Sequence, residues 1–359
     1  MSNSKEIHLV VFGIGNVGST LIQQIHSAKS QLKEQGFEIK IPIVTNSKLA
    51  FYNKDGVSNS WDCDFEQFSV PYKIEEIIAF VQAHKFKNLI AIDATASIDF
   101  VQNYVTLVEN GFHIVSANKV ANTLHYDFYE ALRKTLKKHN KSFLYETNVG
   151  AGLPIIETIK NLHSSGEQIT KIRGVFSGSL SYIFNAYSEG EKPFSKVLKE
   201  ASKLGLTEPD AREDLSGNDV ARKLLILARE LNLKTEIQQV KVDSLVPKQL
   251  NGKTSLHQFN TRVEELDAPF QRRKEILPQD KVLRYVGELD MALQTLEVKL
   301  VSESIKSPLG QLKGADTIFE IFTKSYDEKP LVIQGAGAGK AVTARGLLSD
   351  VVKLSKQLN

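Results

Sequence analysis

Near the N-terminus, an apolar run leads directly into a glycine turn. Residues 7–13 read IHLVVFG, and the turn that follows is Gly13-Ile14-Gly15-Asn16-Val17-Gly18, ahead of a segment with helical spacing. In this pattern the first glycine makes a tight turn, the second lets a pyrophosphate approach the main chain, and the third lets helix and strand pack closely. The pattern predicts a dinucleotide site at the N-terminus of the first helix. A glycine-rich turn without a ligand is the alternative.

Four further apolar segments alternate with helical patterns. They lie at 39–46, 88–96, 112–119 and 141–147, and Pro42 weakens the first of them as a strand. Strands that alternate with helices indicate a parallel sheet that is covered on both faces. The sequence therefore predicts an α/β fold with a Rossmann-type doubly wound parallel sheet.

The ends of two predicted strands carry further candidate cofactor residues. An NAD-selective site usually has an acid after the second strand, where this chain has Asn46, Ser47 and Lys48. These residues could face a 2′-phosphate, which favours NADP or acceptance of both NADP and NAD, unless Lys48 is a solvated surface lysine. The end of the third predicted strand supplies three more candidate cofactor residues, Thr95, Ala96 and Ser97.

A second glycine cluster, QGAGAGK at 334–340, lies between a predicted strand and the C-terminal helix. It does not match the phosphate-loop pattern GxxxxGK[ST], because Gln334 and Ala341 occupy two of its required positions. The cluster could border the same cofactor through Gly339, or it could be a set of packing glycines.

The most acidic stretch is GLTEPDAREDLSGNDVARK at 205–223. Ser216 is predicted to cap a helix that runs to about Leu231, with Asp219 at the third position of a capping box. Asp219 and Lys223 would form an i,i+4 pair on this helix. The predicted buried stripe consists of Val220, Leu224, Leu227, Ala228 and Leu231. A solvated acidic loop is the alternative for the residues upstream.

Composition excludes several classes of protein. The net charge of +3 over 359 residues is too small and too dispersed to indicate nucleic-acid binding. No apolar run is long enough for a membrane span, and no secretory signal is evident. The single cysteine, Cys63, excludes an internal disulfide and fits a reducing compartment, so a cytoplasmic location is expected.

Taken together, seven segments resemble homoserine dehydrogenase over essentially the whole chain. In chain order they are VVFGIGNVGS, VTNSK, SANK, ETNVGAGLPI, GVFSGSLSYIFN, GLTEPDAREDLSGNDVARK and QGAGAG. The resemblance implies reversible NAD(P)H-dependent reduction of L-aspartate 4-semialdehyde to L-homoserine, a step toward threonine and methionine. It also suggests the monofunctional form, without an aspartokinase or an ACT-like regulatory domain.

The resemblance assigns roles to particular residues. Lys223 matches the proton-transfer lysine, and Lys119, in SANK, matches a second active-site lysine that faces cofactor and substrate. The implied substrate-binding set is Glu208, Asp214, Asp219, Gly178 and Ser179. An acidic cluster suits the substrate's ammonium group, and a lysine can stabilise and protonate the oxyanion that forms as hydride reaches the carbonyl carbon.

The resemblance also implies a monovalent cation site, for Na⁺ or K⁺, in the turn ETNVGAGL. Its ligands would be the main-chain carbonyls of Glu146, Val149, Ala151 and Leu153. Carbonyl oxygens suit a hard cation, although a tight turn containing water is the alternative. Two positions depart from the family pattern, since Leu206 stands where a tyrosine is usual and Ser179 where a threonine is common.

For the domains, we expect residues 1–148 with 335–359 to form the dinucleotide-binding domain. Residues 149–334 would form an α+β domain for substrate binding, catalysis and dimerisation, with antiparallel strands near 282–290, 293–302 and 316–326. The resemblance implies a homodimer. Two other functions remain open, namely a reductase for a different semialdehyde or amino acid, and a non-catalytic NADP-binding sensor.

Overall fold

The computed structural model describes residues 4–252 and 254–358, which divide into two compact units. The first unit contains the chain up to Gly152 and again from Gly339 onward, and the second runs from Leu153 to Ala338. The observed boundaries are 152/153 and 338/339, against 148/149 and 334/335 in the sequence prediction.

The first unit contains a seven-stranded sheet with the order β4-β3-β2-β1-β5-β6-β7. Its strands are β1 (Lys5–Phe12), β2 (Phe37–Thr45), β3 (Leu49–Tyr52), β4 (Val70–Pro71), β5 (Leu89–Asp93), β6 (His113–Ser116) and β7 (Phe143–Leu144). Five neighbouring strands of this sheet are parallel to one another, as predicted, namely β2, β1, β5, β6 and β7. The antiparallel strands β3 and β4, which the sequence did not predict, extend one edge.

Pro42 lies inside β2 without ending it. The pairing of β2 with β1 shifts register in the interval that contains Pro42, because Lys40 pairs with His8 but Ile43 pairs with Val10. A proline cannot donate to a strand ladder, and a bulge is one of the few places in a sheet where it is tolerated. The irregularity therefore lets an inner strand contain a proline.

Helices connect the strands of the first unit. They are α1 (Asn16–Ser27), α2 (Lys29–Glu34), α3 (Trp61–Phe68), α4 (Ile74–Ala83), α5 (Ile98–Val101), α6 (Tyr104–Glu109), α7 (Val120–Thr123) and α8 (Tyr126–Lys138), and a 3₁₀ turn follows at Glu146–Asn148. The helical segment expected after the glycine turn forms two helices, α1 and α2, which are separated at Ala28.

The second unit contains a six-stranded sheet with the order β13-β12-β8-β10-β11-β9. Its strands are β8 (Ile169–Val175), β9 (Lys241–Val242), β10 (Lys281–Asp290), β11 (Thr295–Ser304), β12 (Thr317–Thr323) and β13 (Leu331–Gly335). Its helices are α9 (Ile155–Ser164), α10 (Gly178–Glu189), α11 (Phe194–Lys203), α12 (Ala211–Leu215), α13 (Asn218–Glu230), α14 (Leu256–Arg262), α15 (Asp267–Glu275) and α16 (Pro308–Gln311). The chain then returns to the first unit as α17 (Lys340–Gln357).

Alternation along β1 explains why the first sheet is covered on both faces. Ile7, Leu9 and Val11 belong to one buried cluster, which also contains residues of α1 and α17. Val10 and Phe12 belong to a second cluster with residues of α4 and α6. Successive side chains of a strand point to opposite faces, so an unbroken apolar run supplies both cores.

The acidic stretch folds differently at one point from the sequence prediction. Ser216 does not cap the long helix, because it ends α12, and Gly217 precedes α13 with φ +76°. Asp210 caps α12 instead, accepting a hydrogen bond from the Arg212 N–H. The predicted capping box of Ser216 and Asp219 is therefore wrong. The buried stripe is confirmed, since all five of its members, from Val220 to Leu231, are at most 6% exposed.

No helix in the described part of the chain combines the length and the apolar character needed to cross a membrane.

Candidate functional site

The glycine turn after β1 leaves main chain accessible. Gly13 has φ +92°, a conformation that favours glycine, and its N–H donates to Thr45 O at 2.9 Å. A Cβ added to Gly18 would overlap Gly13 O, whereas no heavy atom lies within 4 Å of the Cβ position of Gly15. Close packing at Gly18 and open space at Gly15 are the two conditions that the dinucleotide pattern requires.

Helix α1 begins directly at this turn, at the predicted residues Asn16, Val17 and Gly18. Among the described residues, no side chain caps its N-terminus at Gly15. The N–H groups of a first helical turn have no intrahelical partners and carry partial positive charge. The open cradle therefore fits a pyrophosphate.

The turn after β2 is fixed by Asn46. Its side-chain Oδ1 accepts the main-chain N–H groups of Lys48 at 2.8 Å and Leu49 at 2.7 Å. Ser47 and Lys48 are exposed. The turn thus presents donors and a cation, and no acid, after β2.

Two more predicted loops follow the adjacent parallel strands β5 and β6. Thr95, Ala96 and Ser97 follow β5, and Ser97 Oγ caps α5 by accepting the Phe100 N–H at 3.1 Å. Lys119 follows β6, is partly exposed and precedes α7. The carboxyl ends of parallel strands lie at one edge of a sheet, so these loops and the glycine turn share the edge where such folds bind ligands.

In the second unit, the acidic stretch lines a pocket of about 400 Å³. Its walls include three predicted substrate residues, Glu208, Asp214 and Asp219. The other lining residues are Ser177, Glu213, Ser216, Asn218, Val220 and Arg222. The solvated-loop alternative is therefore wrong for Asp214, which lies in α12 and is partly buried. Glu208 is exposed and lies in the loop before α12, as that alternative has it, although it also lines the pocket.

Lys223 is held beside this pocket by two oxygen atoms. Its side chain is 9% exposed, and Nζ donates to Asp219 Oδ2 at 2.8 Å, as the i,i+4 spacing predicted. Nζ also donates to the Phe176 carbonyl at 2.7 Å. The second contact joins α13 to the segment between β8 and α10, so the ammonium group has a defined position on a rigid element.

Asp214 lies at the centre of a second hydrogen-bonded set. Its Oδ1 accepts from Ser179 Oγ at 2.6 Å and its Oδ2 from the Glu208 N–H at 2.8 Å. Ser179 Oγ also lies 2.8 Å from Ser177 Oγ. Burial raises the pKa of the Asp214 carboxyl, and these donors oppose that rise. Asp214 therefore fixes the start of the acidic stretch against α10, a supporting position.

Three other predicted positions have distinct local structure. Gly178 begins α10, and a Cβ there would come within 2.9 Å of Ala315 O. Gly339 precedes α17 with φ +117°. In the turn at 146–153, Ala151 has φ +53°. No group of three or more His, Cys, Asp or Glu side chains in the described residues is placed to hold a metal ion.

Sequence reasoning missed Ser177 and the Phe176 carbonyl. Ser177 Oγ accepts the Leu180 N–H at 3.3 Å and so caps α10. A serine one residue before a helical pattern is the signal that could have identified it. Nothing in the sequence marks the Phe176 carbonyl, because its partner Lys223 is 47 residues away along the chain.

The first unit has the fold and the turn geometry of a dinucleotide-binding domain. Comparison with protein-family models agrees, since residues 13–146 match the NAD-binding domain of homoserine dehydrogenase. Residues 154–352 match the homoserine dehydrogenase family itself. The chain belongs to the homoserine dehydrogenase family.

Individual relatives support this placement. The chain is 40% identical over 354 residues to a bifunctional aspartokinase/homoserine dehydrogenase of Buchnera aphidicola, covering 98% of this chain and 43% of that protein. A solved Candida auris protein of unknown function is 34% identical and superposes with a TM-score of 0.91 over 99% of both chains. A hyperthermophilic archaeal homoserine dehydrogenase solved with NADPH shares the fold, with a TM-score of 0.73 at 21% identity and 99% coverage of both chains.

Proposed function

We propose that this protein catalyses the reversible NAD(P)H-dependent reduction of L-aspartate 4-semialdehyde to L-homoserine. The observation that carries the proposal is the acid-lined pocket of the second unit, together with Lys223. Lys223 donates to Asp219, one of the lining acids, and to Phe176 O. A substrate with an ammonium, a carboxylate and a carbonyl group needs both signs of charge around it. Family membership supports the same reaction.

The acids and the lysine would act on different ends of the substrate. Glu208 and Asp219 attract the α-ammonium group, while Asp214 holds the segment that carries Glu208 in place through the Glu208 N–H. When bound, the nicotinamide supplies hydride to the aldehyde carbon or accepts it from the alcohol. Lys223 stabilises the oxygen as negative charge develops and donates a proton to it. In the reverse direction the same group accepts that proton.

Lys119 is proposed to act from the nucleotide-binding unit. It lies at the edge of the sheet where the glycine turn and residues 95–97 also lie. An ammonium group at the end of β6 suits contacts with the nicotinamide end of the cofactor and with the substrate. Lys119 therefore orients the two reactants, whereas the proton moves at Lys223.

NADP is the proposed cofactor in preference to NAD. Asn46 has its Oδ1 occupied by two main-chain N–H groups, which leaves Nδ2 to face a ligand. With the exposed Ser47 and Lys48 it presents donors suited to a 2′-phosphate, and no acid is available there for a ribose hydroxyl. The NADPH complex of the archaeal relative is in line with this preference.

A monovalent cation, Na⁺ or K⁺, is proposed for the turn at 146–153. Glu146 O accepts the Val149 N–H at 3.3 Å and Leu153 O accepts the Ile155 N–H at 2.9 Å. Each carbonyl oxygen has two lone pairs, so one hydrogen bond does not prevent coordination. The left-handed conformation of Ala151 redirects the main chain within this turn.

A homodimer is proposed through the second unit. Its six-stranded sheet ends at β13, whose outer edge pairs with no other strand among the described residues. Val332 on this strand is 39% exposed. An exposed apolar edge strand favours pairing with another copy about a two-fold axis.

The exposed single cysteine, Cys63, suits a reducing location, for which we propose the cytoplasm.

A steady-state assay tests the reaction. Purified protein is incubated with L-homoserine and either NADP⁺ or NAD⁺, and reduced cofactor is followed by absorbance. Lys223→Ala should lower kcat by about 10²–10⁴-fold, the usual effect of losing a general acid–base group. Lys203→Ala, at an exposed lysine in the last turn of α11, is the control and should retain wild-type rates.

Two outcomes would contradict the proposal. If the wild type binds cofactor but converts neither homoserine nor the semialdehyde, the protein is a sensor or acts on a different substrate, which a panel of amino-acid semialdehydes would separate. If the wild type is active and Lys223→Ala retains its kcat, the proton is transferred elsewhere.

Two further measurements test the other proposals. Repeating the assay with tetramethylammonium as the only cation tests the cation site, and light scattering measures the oligomeric state.

A further inference from the structure

A buried carboxylate lies at the end of β5, directly before the loop of residues 95–97. Asp93 is 1% exposed. Its Oδ1 accepts the Thr95 N–H at 2.8 Å, and its Oδ2 accepts the Tyr104 hydroxyl at 2.7 Å and Asn118 Nδ2 at 3.0 Å. Burial raises the pKa of the Asp93 carboxyl, and these neutral donors oppose the rise. A buried acid is costly unless it is well hydrogen-bonded, so its three donors are tightly constrained in position.

The Asn118 side chain, which donates to Asp93, also joins the loops after β5 and β6. Besides Asp93, its Nδ2 lies 3.0 Å from Ser97 O and 3.3 Å from Thr95 Oγ1. Its Oδ1 accepts the Val120 N–H at 3.1 Å, which fixes the main chain on the far side of Lys119. Asn118 is 2% exposed. One amide thus sets the distance between the loop of residues 95–97 and the main chain of Lys119.

Tyr104 is the third member of this hydrogen-bonded network. Its hydroxyl oxygen is fully buried and lies 2.8 Å from Ser116 Oγ as well as 2.7 Å from Asp93. Ser116 Oγ in turn accepts the Asn118 N–H at 2.9 Å. The end of β6 is therefore tied to the end of β5 by side chains as well as by the strand ladder.

The network also reaches the glycine turn. A Cβ added at Gly13 would come within 2.9 Å of Thr95 Cγ2 and within 3.0 Å of Ala94 O. Thr95 is itself held by Asp93 and Asn118. A shift of Thr95 would therefore be transmitted to the turn that is assigned to the pyrophosphate.

We propose that Asp93, Tyr104 and Asn118 are positioning residues, whose hydrogen bonds fix the loops at 13–18, 95–97 and 119 in the one arrangement that binds the nicotinamide cofactor. The proposal rests on the proposed function in one respect, namely that these loops bind the cofactor. Groups that hold binding elements within a fraction of an ångström control affinity without touching the ligand. The network would therefore govern the affinity for NADPH far more than the chemical step.

The test compares two buried asparagines on either side of Lys119. Asn118→Ala removes the junction, whereas Asn122→Ala removes an equally buried amide whose Nδ2 donates to Asn148 Oδ1 at 2.8 Å. NADPH affinity is measured by fluorescence titration, and stability by thermal unfolding. We expect Asn118→Ala to raise the Kd for NADPH about tenfold, equivalent to ~1.4 kcal/mol. Asn122→Ala should leave this Kd within about twofold of wild type at a comparable loss of Tm.

Two further measurements separate positioning from general stability. Tyr104→Phe keeps the ring and removes only the hydroxyl, so it provides the test if Asn118→Ala does not fold. It should raise the Kd for NADPH by a smaller factor than the one expected for Asn118→Ala. At saturating NADPH, kcat of each variant with the semialdehyde should recover to within about threefold of wild type, because the effect is on binding. Recovery of kcat with a raised KM for NADPH is a result that a purely structural role would not give.

Several results would overturn the proposal. One is an unchanged Kd for NADPH in both Asn118→Ala and Tyr104→Phe. Another is an equal rise of Kd in Asn122→Ala, which would mean that any loss of stability weakens binding. A wild type that binds NADPH but does not oxidise homoserine would refute the proposed reaction, yet the difference in Kd among the variants would still support the network. A wild type that does not bind NADPH would refute both.

Discussion

Replacing Gly217 with alanine is expected to destabilise the second unit by more than the backbone strain alone. Gly217 joins α12 to α13 with φ +76°. A Cβ at this position would overlap the Tyr285 hydroxyl and approach Val242 Cγ1 to 2.9 Å. Tyr285 cannot withdraw easily, because it is 1% exposed and its hydroxyl donates to Asp243 O at 2.8 Å.

Two contributions give the magnitude. An alanine in the left-handed region costs about 1 kcal/mol relative to glycine. Displacement of Tyr285 breaks its hydrogen bond and leaves a polar group without a partner in a buried place, which costs about 2 kcal/mol. The expected loss in the free energy of unfolding is therefore about 3 kcal/mol.

Gly205 provides the matched control. It also has a left-handed φ of +68°, but nothing lies within 4 Å of the position of an added Cβ. Gly205→Ala should therefore cost only the strain of about 1 kcal/mol. The two variants differ in the collision with Tyr285 and not in the backbone region that alanine must enter.

Differential scanning calorimetry at one protein concentration measures both variants. For a unit of this size, 1 kcal/mol shifts Tm by about 2–4 °C, so Gly217→Ala should unfold about 6–12 °C below wild type and Gly205→Ala about 2–4 °C below. Equal shifts for the two variants would refute the reasoning, because the collision would then contribute nothing. A Gly217→Ala protein as stable as wild type would refute the strain argument as well.

Two further predictions concern pH and cofactor choice. Burial, with a smaller contribution from the charge of Lys141, lowers the pKa of His113 to about 4. The unfolded chain binds this proton below about pH 6.5, so the free energy of unfolding should fall by about 2.5 kcal/mol as pH drops from 6.5 to 4. In urea unfolding curves, His113→Gln should remove that part of the loss. A difference between wild type and variant that does not change with pH would contradict this. Lys48→Ala should lower kcat/KM about tenfold with NADP⁺ and less than about twofold with NAD⁺. Lys54→Ala, on the exposed loop after β3, is the control and should change neither value. Equal losses with both cofactors would place Lys48 away from the 2′-phosphate.

The nucleotide-binding unit was predictable because its signals are local. The run from Ile7 to Phe12 supplies two cores by alternation, and the turn after it depends on glycines within six residues of one another. The strands β3 and β4 were not predictable in the same way. Leu49–Tyr52 has four residues and Val70–Pro71 has two, which is too short for a period to be detected.

The start of α13 was predicted wrongly because two local solutions compete. The segment Ser216-Gly217-Asn218-Asp219 supports a serine cap, but it also supports a helix that ends at Ser216 followed by a left-handed glycine. Contacts distant in sequence favour the second solution. Leu245 N–H donates to Leu215 O at 2.9 Å at the end of α12, and no pattern near residue 216 contains that information.

The two lysines show which part of a site a sequence can specify. The spacing of Asp219 and Lys223 predicts their ion pair, because residues four apart lie on one face of any α-helix. The bond from Lys223 to Phe176 O depends on how α13 packs within the second unit, and the arrangement around Lys119 depends on β5 and β6 being neighbours. Asp93 and Asn118 are 25 residues apart, and each by itself looks like an ordinary polar residue at the end of a strand. A motif therefore identifies the side chains that could take part in chemistry, whereas sheet order decides which buried groups hold them in position.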